Sequence, residues 1–249
     1  MRIDVMTLFP DLVENVLSES IIGRARKAGY LDIRTYNIRD WSQDKHRSVD
    51  DTPYGGGKGM LMAAPPIYRC YEAARADGEK ENEKIKVVYM SPRGKVFNQE
   101  KAKEYAGLDR LMILCGHYEG IDQRIIDEII DEELSIGDYV LTGGEIPACI
   151  VADAVGRLVP GVLSEAECFK KESFEDGLLE YPQYTRPPVF RGMEVPEVLL
   201  TGHHANIEKW RHKRSLEITK ANRPDLYEKL PPEEPPKKKK SSRCKTKSE

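Results

Sequence analysis

The chain has 249 residues, 39% of them apolar and 33% charged, and a net charge of −3. That length buries a substantial core, as one large domain or two modest ones, and no apolar run approaches the roughly eighteen residues that span a bilayer. The five cysteines are widely spaced without a C-x-x-C pair, and "MRIDVMTLFP" lacks an apolar run with a cleavage site, so the expected compartment is a reducing cytoplasm.

Taken in order, "RIDVMTL" reads as a strand. Asp11 and Glu14 suit a capping box, with Leu12, Val16, Ile21 and Ala25 on one helical face and Gly29 as the stop. A strand over 31–37 precedes a polar loop holding "HRSVDDTPYGGGKGM", and Pro65 and Pro66 open the helix "PPIYRCYEAARA". Three β-type stretches follow, at 86–90, 110–115 and 139–141, separated by helical patterns "NQEKAKEYAG" and "DQRIIDEIIDE". A further helix covers "EIPACIVADAVGRL". Strands alternating with helices predict an α/β domain on a mostly parallel sheet over residues 1–160. Periodicity then lapses from Val159 to about Pro182. It returns in "HANIEKWRHKRSLEITKANRPDLYEKL", with Asn206 a candidate cap and Pro224 opening a last helix, which predicts a small helical C-terminal domain. The closing Pro/Lys segment, 231–249, cannot build a core and is expected to be disordered; its seven basic residues against three glutamates leave −7 on residues 1–230.

Three glycine-bearing loops fall at or beyond the carboxyl ends of predicted strands: 91–94 "SPRG", 116–122 "GHYEGID" and 135–145 "SIGDYVLTGGE". Ligands of open α/β sheets gather there. None of the three carries G-x-G-x-x-G or the lysine and hydroxyl of a P-loop. Backbone groups at such turns read a purine without side chains, Ile136, Tyr139 and Leu141 pack on its faces, and Glu119, Asp122 and Asp138 suit an amine or ribose hydroxyls better than phosphates. A cationic adenosine derivative therefore matches better than ATP. "YGGGKGM" has its lysine between glycines and no Ser or Thr after it, leaving a flexible substrate loop and a phosphate cradle equally open. Arg157 and Glu172 offer an arginine and a carboxylate for proton removal, with Asp176 equally available in the same loop. Lys209, Arg211, Lys213, Arg214 and Lys220 suit phosphate, Trp210 suits a base or a buried anchor, and the nearby histidines lack metal spacing.

The ordered set "KHRSVDDTPYGGGKGMLM", "CGHYEGIDQRI", "SIGDYVLTGGE", "FEDGLLEYPQYTRPP", "LLTGHHANIEKWR" and "NRPDLYEKL" closely resembles the bacterial tRNA (guanine-N1)-methyltransferase family, from Met1 to about Leu230. The resemblance implies a deep trefoil knot at the methyl-donor site, a linker over 161–176 and a helical tRNA-binding domain over 177–230. It implies bent S-adenosylmethionine as donor, use of Mg²⁺ with no ligand set visible in the sequence, and a homodimer with active sites between subunits. The implied substrate is the tRNA anticodon stem-loop, methylated at N1 of guanosine 37, 3′ of the anticodon, after a preceding guanosine. A related knotted methyltransferase acting on another RNA site is the runner-up. Carried over residue by residue, the donor pocket comprises Met90, Pro92, Gly116, Tyr118, Glu119, Gly120, Ser135, Ile136, Gly137, Asp138, Tyr139, Val140, Leu141, Gly143, Gly144 and Pro147. The active-site arginine falls on Arg157. The general base, an aspartate in the family's usual pattern, falls on Glu172.

Overall fold

The computed structural model describes residues 1–78, 80–163 and 172–231, and the chain divides into two compact units, Met1–Cys168 and Phe169–Glu249. Part of the expected linker and all but the first residue of the basic tail lie outside the described residues.

The first unit is built on β1 (Arg2–Thr7), β2 (Asp32–Asn37), β5 (Ile85–Val96), β6 (Arg110–Cys115) and β7 (Glu132–Ser135), in the order β2-β1-β6-β5-β7. Every pairing in this sheet is parallel, so the expected α/β class with a mostly parallel sheet is what forms. Parallel strands are covered on both faces, which is why β1 and β6 are buried at every position. Alternation then divides their side chains. Ile3, Val5, Val88, Leu111 and Ile113 enter one core, with α1 (Pro10–Leu17), α2 (Ser20–Lys27), α4 (Gln99–Ala106) and α6 (Glu145–Gly156) contributing to it. Met6, Val87, Tyr89, Met112 and Leu114 enter the other, with α3 (Ala64–Ala76) and α5 (Gln123–Ile129). Cys70, Cys115 and Cys149 are buried free thiols in these cores.

Four expectations are corrected. The stretch 139–141 is no strand: β7 takes the place beside β5, and Tyr139, Val140 and Leu141 are exposed. The segment "EELS" hides its strand because only Leu134 is apolar; pairing to β5 rather than propensity makes it one. The first helix is two. Pro10 starts α1 one residue before Asp11, no side chain caps it, and Glu14 pairs with Arg26 at 2.8 Å instead of closing a capping box. Ser20, at φ 53°, begins α2. Asn206 lies inside α8 (His204–Asn222), because Asn206 and Ile207 N–H groups already donate to the His203 carbonyl.

The second unit carries a hairpin of β8 (Val189–Phe190) and β9 (Met193–Glu194), then α7 (Glu197–Leu200), α8 and α9 (Pro224–Tyr227). Within it, Leu179 N–H donates to the buried Thr219 hydroxyl at 2.8 Å, Arg211 lies over the Tyr181 ring, and the half-buried Trp210 faces Tyr184. Arg211 and Arg214 pair with Glu208 and Glu217. No helix among the described residues is long and apolar enough to cross a membrane.

Candidate functional site

At one edge of the sheet the loops after β6 and β7 meet "SPRG", which is not the expected loop beyond a strand but a break in register inside β5, between Met90 and Lys95. They enclose a cavity of about 460 Å³, inside the ~300–1,000 Å³ span of small-ligand sites. Met90, Pro92, Gly116, Tyr118, Glu119, Gly120, Ser135, Ile136, Gly137, Tyr139, Val140, Leu141, Gly143, Gly144 and Pro147 all line it. Asp138 is exposed and is not among the lining residues.

Main-chain bonds stitch these loops together. Gly144 N–H donates to the Gly116 carbonyl at 2.9 Å, and His117 and Gly143 form an antiparallel bridge. A Cβ on Gly144 would lie 2.8 Å from Cys115 Cα, and one on Gly116 would lie 2.7 Å from the Tyr89 hydroxyl. Close approach, not turn geometry, is therefore what glycine supplies at Gly144, whose φ is an ordinary −84°. Tyr118 takes the left-handed region at φ 59°, held where Gly120 N–H donates back to the His117 carbonyl. Ser135 Oγ accepts from Gly137 N–H at 3.1 Å, wrapping the third loop.

Ser91, Arg93, His117 and Thr142 lie in the three loops singled out from the sequence but were not named individually, whereas Leu61, Tyr89 and Gln123 lie outside those loops. Most sit beside a named residue, and period two along β5 could have flagged Tyr89. Leu61 had no local signal. It arrives because β3 (Asp50–Asp51) pairs with β4 (Leu61–Met62), and Met62 N–H donates to the Gly120 carbonyl at 3.0 Å.

The cavity is sparing with charge. Arg93 is paired with Glu133 at 3.1 Å. Burial pushes the Tyr89 phenol up to about 12, and burial likewise raises Cys115 and takes Cys149 to about 11. These thiols stay protonated at neutral pH, which removes them as nucleophiles. Glu145, buried at the start of α6, accepts from the Thr7 hydroxyl at 2.8 Å. The size and lining of the cavity suit a nucleoside-sized ligand held through backbone groups and apolar walls. Among the described residues no group of three or more His, Cys, Asp or Glu side chains is placed to hold a metal ion. At Gly59 the loop "YGGGKGM" closes on Glu119, since a Cβ there would lie 2.6 Å from that carboxylate, so its inner arm faces negative charge while Gly55 and Gly56 meet nothing.

Arg157 caps α6 in the first unit, partly buried. Glu172 is in the second unit, partly buried, and its carbonyl accepts from Glu175 N–H at 3.4 Å. In the same loop the Asp176 carboxylate accepts from Leu178 N–H at 3.1 Å.

Fold and cavity thus define an α/β protein with a ligand site at the carboxyl edge of a parallel sheet. The family model described as tRNA (Guanine-1)-methyltransferase TrmD matches residues 1–229, and the chain belongs to that family. It is 59% identical over 231 residues to a tRNA (guanine-N(1)-)-methyltransferase of Ruminiclostridium cellulolyticum, covering 93% of this chain and 98% of the relative. Proteins of the same description from Lachnospira eligens and Clostridioides difficile are 57% and 52% identical, each over 92% of this chain and over 95% and 98% of their own lengths.

Proposed function

We propose that the protein methylates N1 of guanosine 37, 3′ of the anticodon, in tRNAs with a preceding guanosine, using S-adenosylmethionine. Family membership over nearly the whole chain carries this reading. The cavity's size, its glycine-permitted close approaches and its shortage of free cations suit a cationic adenosine compound that carries no phosphate. When bound, that compound supplies an electrophilic methyl group on a sulfonium. The stitched loops at 116–118 and 143–144 support reading this region as a trefoil knot.

Guanine N1 carries a proton and attacks only once that proton leaves. Glu172 takes the proton. Arg157 stabilises the negative charge that develops on O6. Asp176 is the weaker candidate for the base, since "ESF…DGLL" keeps the family's spacing with Glu172 at the position of the base. The loops of the first unit orient the reacting groups, an effect sensitive to displacements of about an ångström. No step is assigned to a metal ion. The helical second unit grips the anticodon stem through cations such as Lys209 and Lys213. A homodimer is supported by the exposed apolar pairs Leu12/Val16 and Ile146/Ile150 on the packed helices α1 and α6.

Substituting Glu172→Gln is expected to leave donor binding, read by calorimetry, within about twofold and to cut methyl transfer to bulk tRNA by roughly 10²–10⁴-fold. Full turnover by that variant would eliminate Glu172 as base. Methylation mapped to any other nucleotide would hand the function to the runner-up, a related enzyme for another RNA site.

A further inference from the structure

The hairpin of β3 and β4 displays what its neighbours conceal. Tyr54 is fully exposed, and among the described residues no hydrogen bond or ring contact holds it. Gly55, Gly56, Gly57 and Gly59 all have positive φ, between 78° and 147°, a run of conformations that other residues rarely adopt. A Cβ on Gly55 or Gly56 would meet nothing, so these glycines serve the turn itself and hold Tyr54 clear of the body. The base of the hairpin is fastened to the cavity. Glu119 N–H donates to the Met60 carbonyl at 3.1 Å, Asp122 N–H donates to the Met62 carbonyl at 3.0 Å, and Leu61 is part of the cavity wall.

A cation accompanies the ring. Lys58, in the same loop, is exposed, with no ion pair among the described residues. A solvent-facing aromatic with such a cation beside it in one loop is the chemistry that receives an unstacked base together with its phosphate. An apolar partner would leave Lys58 without a counterpart.

We infer that the hairpin over residues 50–62 is an RNA-reading lip, in which Tyr54 stacks on an unpaired nucleotide flanking the target guanine while Lys58 takes an adjoining phosphate. This rests on the tRNA methylation proposed above. It makes the hairpin a substrate-positioning element, distinct from the donor cavity that it borders.

The test is steady-state methylation of an unmodified tRNA transcript by the full chain, with Tyr54→Ala, Tyr54→Phe and Tyr54→Trp. Loss of a stacked base should raise KM for tRNA roughly tenfold or more in Tyr54→Ala, with kcat within about threefold and KM for S-adenosylmethionine unchanged. The Phe and Trp variants should sit within about threefold of wild type, because stacking needs only a ring face. Lys58→Ala should weaken tRNA binding and reduce its salt slope by roughly one. A wild-type KM for tRNA in Tyr54→Ala would overturn the inference, as would a Phe variant as poor as Ala. Dissociation of the protein by Tyr54→Ala in sedimentation velocity would also overturn it, assigning the ring to a second copy of the chain. Wild-type protein that leaves tRNA unmethylated would instead defeat the reading of function on which the inference rests.

Discussion

At the amino edge of the parallel sheet, charges close on one another. Arg110, fully buried, donates to Asp4 and to the carbonyls of Ala74 and Arg75 that end α3, while Arg2 donates to Asp4 at 2.8 Å and to the Tyr36 hydroxyl at 2.7 Å. Asp77 joins Arg2, Arg34 and Tyr36. At the carboxyl edge of the same strands the reverse holds. His117 Nδ1 is buried without a partner among the described residues, Tyr118 is backbone-strained, and Val140 is 83% exposed. One edge spends its polar groups on the fold; the other keeps main chain and apolar side chains available for a ligand. Burial raises the Asp4 pKa despite both arginines, so this cluster is an arrangement that tolerates no missing member rather than a surplus of stability.

Breaking the amino edge should produce the largest effect. Asp4→Ala strands two buried guanidinium groups and is expected to cost about 3–5 kcal/mol in urea unfolding. Donor affinity of the molecules that remain folded should be unchanged. A loss under 1 kcal/mol, or an equal loss of donor affinity by the folded fraction, would erase the division of labour between the edges.

Gly144→Ala sharpens the comparison from the other side. Its Cβ meets backbone at Cys115, which cannot swing away, so about 1–3 kcal/mol of stability should be lost along with at least tenfold in donor affinity. Wild-type affinity by calorimetry would show that the stitched loops have slack and that the close approach is incidental.

The smallest effect is expected at Asp77. Hydrogen bonds from Tyr36 and then Arg34 hold its carboxyl down at about 2, from an ordinary 3.8. A carboxylate with a depressed folded-state pKa contributes stability that is present above 3.8 and lost as pH falls toward about 2. Asp77→Asn should therefore lower the denaturant midpoint slightly at neutral pH, and the difference from wild type should vanish near pH 2. A difference that persists undiminished in acid would mean that packing, not charge, is what the substitution removed.

Much of this was legible residue by residue. The helices α4 and α5 fall within the patterns "NQEKAKEYAG" and "DQRIIDEIIDE", and Pro65 and Pro66 open α3, because these signals act within a few turns of chain. Asp122, expected to face an amine or ribose hydroxyls, instead caps α5 and pairs with Arg124. The residues that line the cavity, Asp138 excepted, were legible because resemblance and the rule of carboxyl edges agreed on the same loops. "EELS" was not legible as a strand, nor Leu61 as cavity wall, since each depends on a partner distant in sequence.

The sequence by itself determined the layered α/β class, the proline-opened starts of α3 and α9, and the family, which follow from short-range periodicity, proline's fixed φ and ordered motifs. Only the tertiary structure decided that YVL lines a cavity instead of joining a sheet, that Gly144 is glycine because Cys115 passes behind it, and that Tyr54 stands free beside the pocket. The physical reason is range: propensity and spacing report on neighbours along the chain, whereas edge pairing, close approach and exposure are set by segments that meet only after folding.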